Sequence, residues 1–225
     1  MPRRPTLIVA AALGLALASA GAPARAADDD PNVPRPRPTP PDPRSFRPTL
    51  ALQYGFSTLY GFLEEGRSQK RQLADALVPS LRLALPVSRS LAVEAVGLYG
   101  VYQGEDKVCP SCEAQTVGGG LGLVYHSLEG APFDPWFSAG AGLRRTRFTT
   151  PDASGAGVDF DYTGVDVLRL SFGADYYLVN VLGVGPYVEG AVGRFVSRSP
   201  GGADDLGTYG TFGLGLRLVL NPFAR

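Results

Sequence analysis

Three groups of residues in this chain are of types that do chemistry. Cys109-Pro-Ser-Cys112 has the spacing of a redox centre or of half a metal site. Redox pairs of this form open a helix in an α/β domain, and no such helix is legible here. A structural zinc site needs about four ligands, and the sole histidine, His126, is expected at the opposite end of the fold. A disulfide between Cys109 and Cys112, formed in an oxidising compartment and pinning a loop, is the expectation. His126-Ser127 is the second group. Neighbours in a strand point to opposite faces, and no carboxylate stands out to orient the imidazole, so a nucleophilic triad is not expected. The third group is a scatter of charges, Arg82, Glu94, Arg144, Arg169, Asp175, Glu189 and Arg217, each set in a small or apolar segment. No catalytic residue, cofactor site or metal site emerges from these groups.

The scattered charges acquire meaning from the segments that carry them. In 211–220, Phe212, Leu214, Leu216, Leu218 and Leu220 take every second position, against Thr211, Gly213, Gly215, Arg217 and Val219. That is the period of a strand with one apolar face. The pattern occurs eight times: 50–60, 77–85, 91–102, 115–125, 136–146, 168–178, 185–195 and 211–220. None shows the three- and four-residue steps of a helix. Each charge lies on the face opposite the leucines, as does Gln53. In a soluble sheet that face meets water; in a membrane barrel it lines the lumen and the leucines meet lipid. The inward set then holds four arginines against three acids, to be paired or hydrated in an interior that eight strands leave nearly filled. The Gly118-Gly-Gly-Leu-Gly122 run is followed by no helix, so it is no phosphate loop.

The connections favour the membrane arrangement. Long ones, 61–75, 103–114, 147–164 and 198–207, alternate with short ones, 86–90, 126–135 and 179–184. Long loops at one end and short turns at the other are the habit of outer-membrane barrels. Aromatic residues fall in two bands suited to the bilayer interfaces. Tyr125, Phe133, Trp136, Tyr176, Tyr177, Tyr187 and Phe223 lie toward the short turns; Tyr60, Tyr99, Tyr102, Phe148, Phe195 and Tyr209 lie toward the long loops. Glu105, Asp106, Glu113, Asp152, Asp159, Asp161, Asp204 and Asp205 make three long loops acidic. With Arg145, Arg147, Arg194 and Arg198 they form a rim suited to divalent cations and lipopolysaccharide phosphates, or simply to solvent.

The ends and the composition bound the rest. Residues 1–26 read as a secretory signal: Arg3 and Arg4, an apolar run from Leu7 to Ala20, and Ala24-Arg25-Ala26 for cleavage. Residues 27–48 are a periplasmic tail or linker, with eight of the chain's 20 prolines, extended and unable to form a core. The barrel is assigned to 49–225. Formal net charge is zero, which gives no reason to expect a nucleic-acid partner.

The whole resembles the small outer-membrane barrels of Gram-negative bacteria, of the type of the transmembrane domain of outer membrane protein A. Thr211-x-Gly213-x-x-Leu216-x-Leu218 is similar to the assembly signal of such barrels, although the chain ends Asn221-Pro-Phe-Ala-Arg225. The resemblance implies an all-β, eight-stranded antiparallel up-and-down transmembrane barrel. It further implies outer-membrane lipid, lipopolysaccharide and the barrel assembly machinery as partners, a monomeric state, and both termini in the periplasm. A structural or surface-interaction role through the loops is expected. A narrow arginine-lined channel for small solutes or anions is the alternative, ahead of a lipid A-modifying enzyme and a soluble ligand-binding barrel.

Overall fold

The computed structural model describes residues 48–64, 68–105, 108–128, 131–152, 157–201 and 206–221. The signal segment 1–26, residues 27–47 of the proline-rich stretch, Asp106, Asp204, Asp205 and Phe223 lie outside the described residues.

Eight strands follow in order: β1 (Thr49–Gly61), β2 (Ala76–Pro86), β3 (Leu91–Gln103), β4 (Glu113–His126), β5 (Phe133–Pro151), β6 (Gly157–Val179), β7 (Leu182–Ser199) and β8 (Thr208–Leu220). Each pairs antiparallel with the next, and β8 closes on β1 through a register that sets Gln53 opposite Arg217. Closure removes every sheet edge, the requirement for a sheet that meets lipid. Alternation then decides the faces. Leu52, Leu81, Leu121, Leu143 and Leu216 are exposed outward, while Gln53, Arg82, Glu94, Arg144 and Arg217 are buried inward. An apolar exterior of this extent around a charged interior matches a bilayer and not water. The fold is an eight-stranded up-and-down transmembrane barrel. No helix among the described residues is long and apolar enough to cross a membrane.

Several expectations need correction. The connection expected at 147–164 is mostly strand, because β5 runs on to Pro151 and β6 starts at Gly157. Arg147 and Asp159 pair there across the hairpin at 3.2 Å, and the hydroxyl of Thr149 donates to Asp159 at 2.7 Å. Cross-strand pairs of this kind extend the ladder beyond the apolar belt. A strand crosses a bilayer in about 9–11 residues, so β6, with 23, stands well clear of it.

β6 also breaks its own alternation. Gly140 pairs with Arg169 and Gly142 with Asp166, so two steps on β5 oppose three on β6. The spare residue is Val167, 67% exposed, beside outward Leu168. This bulge brings Asp166 and Arg169, three apart, onto the same inner face.

The long-loop end is capped rather than open. Gly61, at φ 85°, turns the chain out of β1 in a conformation natural to glycine. The first loop then crosses the mouth, carrying the single helical turn α1 (Gln69–Gln72). Its Leu63 and Leu73 are buried. Backbone bonds from Gly207 N–H to the Leu63 carbonyl (3.0 Å) and from Glu105 N–H to the Gln72 carbonyl (2.9 Å) tie it to the fourth and second loops.

Candidate functional site

The lumen gathers nearly all the chemistry-bearing residues that lie within the strands. At its centre is Arg82 of β2, 1% exposed. Its Nε donates to Gln53 Oε1 at 2.7 Å and its Nη1 to Glu94 Oε1 at 2.7 Å. Its Nη2 donates to Glu189 Oε2 at 2.8 Å and Ser171 Oγ at 2.9 Å. Ser80 donates to the same Gln53 oxygen, and the Ser138 hydroxyl to Glu94. One guanidinium thus spends its fork of donors on β1, β3, β6 and β7 at once, a geometry available to arginine and not to lysine.

A second centre lies nearer the long loops. Asp166 is wholly buried. It accepts from Arg144 Nε (3.1 Å) and Nη2 (3.3 Å), Arg169 Nη2 (2.8 Å) and the Tyr209 hydroxyl (2.7 Å). Asp166 was not among the inward residues expected from sequence, because the Val167 bulge shifts its parity. The signal that could have found it is local: Asp166-Val-Leu-Arg169 sets two apolar residues together between two charges, a break in period two.

A third, looser pair lies toward the short turns. Arg217 Nε stands 3.4 Å from Asp175 Oδ2 without a hydrogen bond, and its guanidinium lies 4.2 Å from the Trp136 ring centroid. Asp134, directly across the ladder from Asp175, sits 2.7 Å from His126 Nδ1. The histidine therefore has the carboxylate that the sequence did not reveal. Ser127 completes no triad, since its hydroxyl donates to the Pro135 carbonyl at 3.1 Å.

With Asp166 added, four arginines (Arg82, Arg144, Arg169, Arg217) face four acids (Glu94, Asp166, Asp175, Glu189) in these three clusters. The excess of positive charge expected from sequence is absent from them, and no net cationic field runs along the axis. The remaining space includes a small void with room for about one water molecule, beside Glu94 and Arg169. Inward glycines of β4 and β5 frame it. A Cβ on Gly120 or Gly142 would press on the facing backbone carbonyl.

The aromatic bands divide by face. Tyr60, Tyr99, Tyr125, Phe133 and Tyr176 are exposed to the exterior. Tyr102, Phe148, Phe195 and Tyr209, expected in the outer band near the long loops, are buried inside instead; Trp136 and Tyr187 are buried inside at the other end. At the long-loop end they pack with Leu59, Leu63, Leu73, Tyr162 and Leu206 into an apolar plug. Tyr102 donates to Ser57 at 3.1 Å and Tyr162 to Glu64 at 2.6 Å, so the buried hydroxyls have partners.

Cys109 and Cys112 form a disulfide in the second loop, with Cys112 packed in that plug. Among the rim residues, Arg145 pairs with Asp161 at 3.2 Å and Arg198 with Glu64 at 2.7 Å. These arginines spend charge on the protein's own acids. Among the described residues no group of three or more His, Cys, Asp or Glu side chains is arranged to hold a metal ion.

Fold and lumen together define a transmembrane β-barrel whose interior is ion-paired and closed by side chains. No family model matches the chain, and no curated protein matches it in sequence. Similar solved structures include Neisserial surface protein A, at 14% identity over 76% of this chain and 96% of that chain, TM-score 0.47. They also include Ail, the attachment invasion locus protein of Yersinia pestis, at 15% identity over 78% of this chain and 99% of that chain, TM-score 0.47. The outer membrane protein OprG from Pseudomonas aeruginosa shares 13% identity over 79% of this chain and 99% of that chain, TM-score 0.47. The barrel assignment rests on the strand pairing and faces of this chain itself.

Proposed function

We propose that this protein resides in the outer membrane of a Gram-negative cell, with both termini periplasmic, and works without catalysis through its capped long-loop face. Its role is structural or surface-interactive. Outer-membrane lipid and lipopolysaccharide surround it, and the barrel assembly machinery recognises β8. The observation that carries the reading is the lumen, where among the described residues a cross-bracing arginine network and an apolar plug nearer the long loops occupy the interior. A desolvated ion-paired interior of this kind braces the wall; it does not conduct.

Purified protein in planar bilayers is expected to give no discrete conductance steps. Regular steps whose anion preference changes on Arg82→Gln would replace this reading with a channel. Recovery wholly in the soluble periplasm, with no heat-modifiable gel shift, would remove the membrane assignment altogether. Lipid A of unchanged mass on overexpression is the expected result for a barrel that is not an enzyme.

A further inference from the structure

The barrel wall is not equally paired all the way round. The β1–β8 ladder joins twelve residue pairs and β3–β4 thirteen, but β2–β3 joins only seven, from Ser80↔Leu98 to Pro86↔Ala92. Beyond Ser80, residues 76–79 of β2 keep their ladder to β1, and 99–103 of β3 keep theirs to β4. Across the seam between them no ladder continues. The two sides meet again where the Ala74 N–H donates to the Gln103 carbonyl at 2.9 Å and Leu73 bridges Gly104. Between these fixed points the β2 side has one residue more than the β3 side, so its edge bows. Pro79, which has no N–H to donate, is the first residue past the last pair.

Backbone without a ladder is costly at membrane depth and is tolerated where it is covered by protein or lines a cavity. The seam lies within the apolar belt, since its outward residues include exposed Leu77, Tyr99 and Val101. The side chains that pack directly against it are apolar or aromatic. Val78 and Tyr102 are buried there and Leu98 packs against the same apolar cluster. Between them Gly100 has no side chain: a Cβ on it would lie 3.0 Å from Val78 Cγ2 and 3.0 Å from Tyr102 Cε2. Those two side chains are the part of the plug that lies directly against this weak stretch of wall.

We propose that an alkyl chain of a membrane lipid enters the wall between β2 and β3 at Pro79 and seats against Val78, Leu98 and Tyr102. The seam is continuous with the lipid-facing belt, which supplies alkyl chains at high local concentration. A charged or strongly polar ligand would find no partner in it, because the Tyr102 hydroxyl is already bonded to Ser57. The inference rests on the membrane-barrel reading.

The protein's single tryptophan, Trp136, allows a test with an internal control. Protein is folded into phosphatidylcholine vesicles with and without bromine at mid-chain, and indole quenching is measured. Trp136 is also inside the barrel but behind a paired wall, since β5 is laddered on both sides there. The expected result is several-fold stronger quenching of the indole in Tyr102→Trp/Trp136→Phe than of Trp136 in the parent protein. Adding Pro79→Val, which restores an N–H, is expected to bring that quenching down toward the Trp136 level. Quenching no stronger than that of Trp136, or quenching unchanged by Pro79→Val, overturns the proposal. If the gel shift shows that Tyr102→Trp does not fold, Leu98→Trp in the same background is read by the same outcomes. Leu121→Trp/Trp136→Phe reports the outer face. Strong quenching there keeps the membrane reading, and its absence brings down that reading separately.

Discussion

Arg82 and Asp166 are both buried in the same lumen, and each holds its cluster together, but they brace the barrel differently. Arg82 is a cation whose partners lie 12 to 107 residues away, on strands all round the ring. It is a strut across the lumen. Asp166 is an anion whose partners lie 3 to 43 residues away, on its own strand, the strand before it and β8. It gathers one side of the wall. A buried pair is weak evidence of net stability, because desolvation offsets most of its attraction, yet removing one member leaves an uncompensated charge. The difference in reach therefore decides how many charges are orphaned, and on how many strands, when either centre is lost.

The comparison can be broken at its stronger end first. Arg82→Ala orphans Glu94 and Glu189 on opposite strands, and is expected to cost about 5 kcal/mol, the upper end for a broken buried pair. Urea-dependent folding into lipid vesicles, read by the gel shift, measures it. Asp166→Asn keeps an acceptor for Tyr209 but leaves Arg144 and Arg169 facing each other, at a cost of about 3 kcal/mol. If Asp166→Asn cost more than Arg82→Ala, the reach argument would fail. The loose third pair sharpens the scale. Arg217→Met with Asp175→Leu removes both charges together, and is expected to leave stability within about 1 kcal/mol of the parent.

Outside the belt, Lys70 and Asp75 supply a surface baseline. Lys70 Nζ donates to Asp75 at 3.0 Å and to Thr58 at 2.8 Å. Partial burial pushes the Asp75 carboxyl up, but the Thr58 hydroxyl and Lys70 outweigh it and hold it below the usual value. A depressed folded value means a contribution present above the unfolded value and lost as pH falls through the folded one. Both side chains are about half exposed. Asp75→Asn should therefore cost no more than about 0.5 kcal/mol at neutral pH, and acid titration of the two proteins should bring their stabilities together.

Most of the wall was legible because alternation in a membrane barrel is strict: lipid tolerates no charge and a narrow lumen no large excess of leucine. The faces of the strands follow from that rule, except in β6 on the long-loop side of its bulge. Most of the inward rings were legible too, by a count that the two-band picture obscures. Steps of two from Glu94 reach Tyr102, from Arg144 reach Phe148, from Glu189 reach Tyr187 and Phe195, and from Arg217 reach Tyr209. Each of these rings is inward, like the charge it is counted from. Ring position along a strand suggested an interface; ring parity decides the face. Asp166 and Tyr162 were not reachable this way, because the bulge between Asp166 and Arg169 reverses the count. The pairing of His126 with Asp134 depends on the turn that brings β4 and β5 together, and spacing alone does not specify it.

That reversal also governs which changes of length the wall can survive. Losing a residue from a regular stretch of β6 turns everything on one side of the gap inside out, sending leucines into the lumen and charges into lipid. Val167 is the exception in this part of the strand. Without it, Asp166 would be followed directly by Leu168 and Arg169, and inward, outward, inward would run on unbroken. A one-residue deletion there leaves every neighbouring side chain on its present face. It is a point at which such a gene could gain or lose a codon and still encode a barrel.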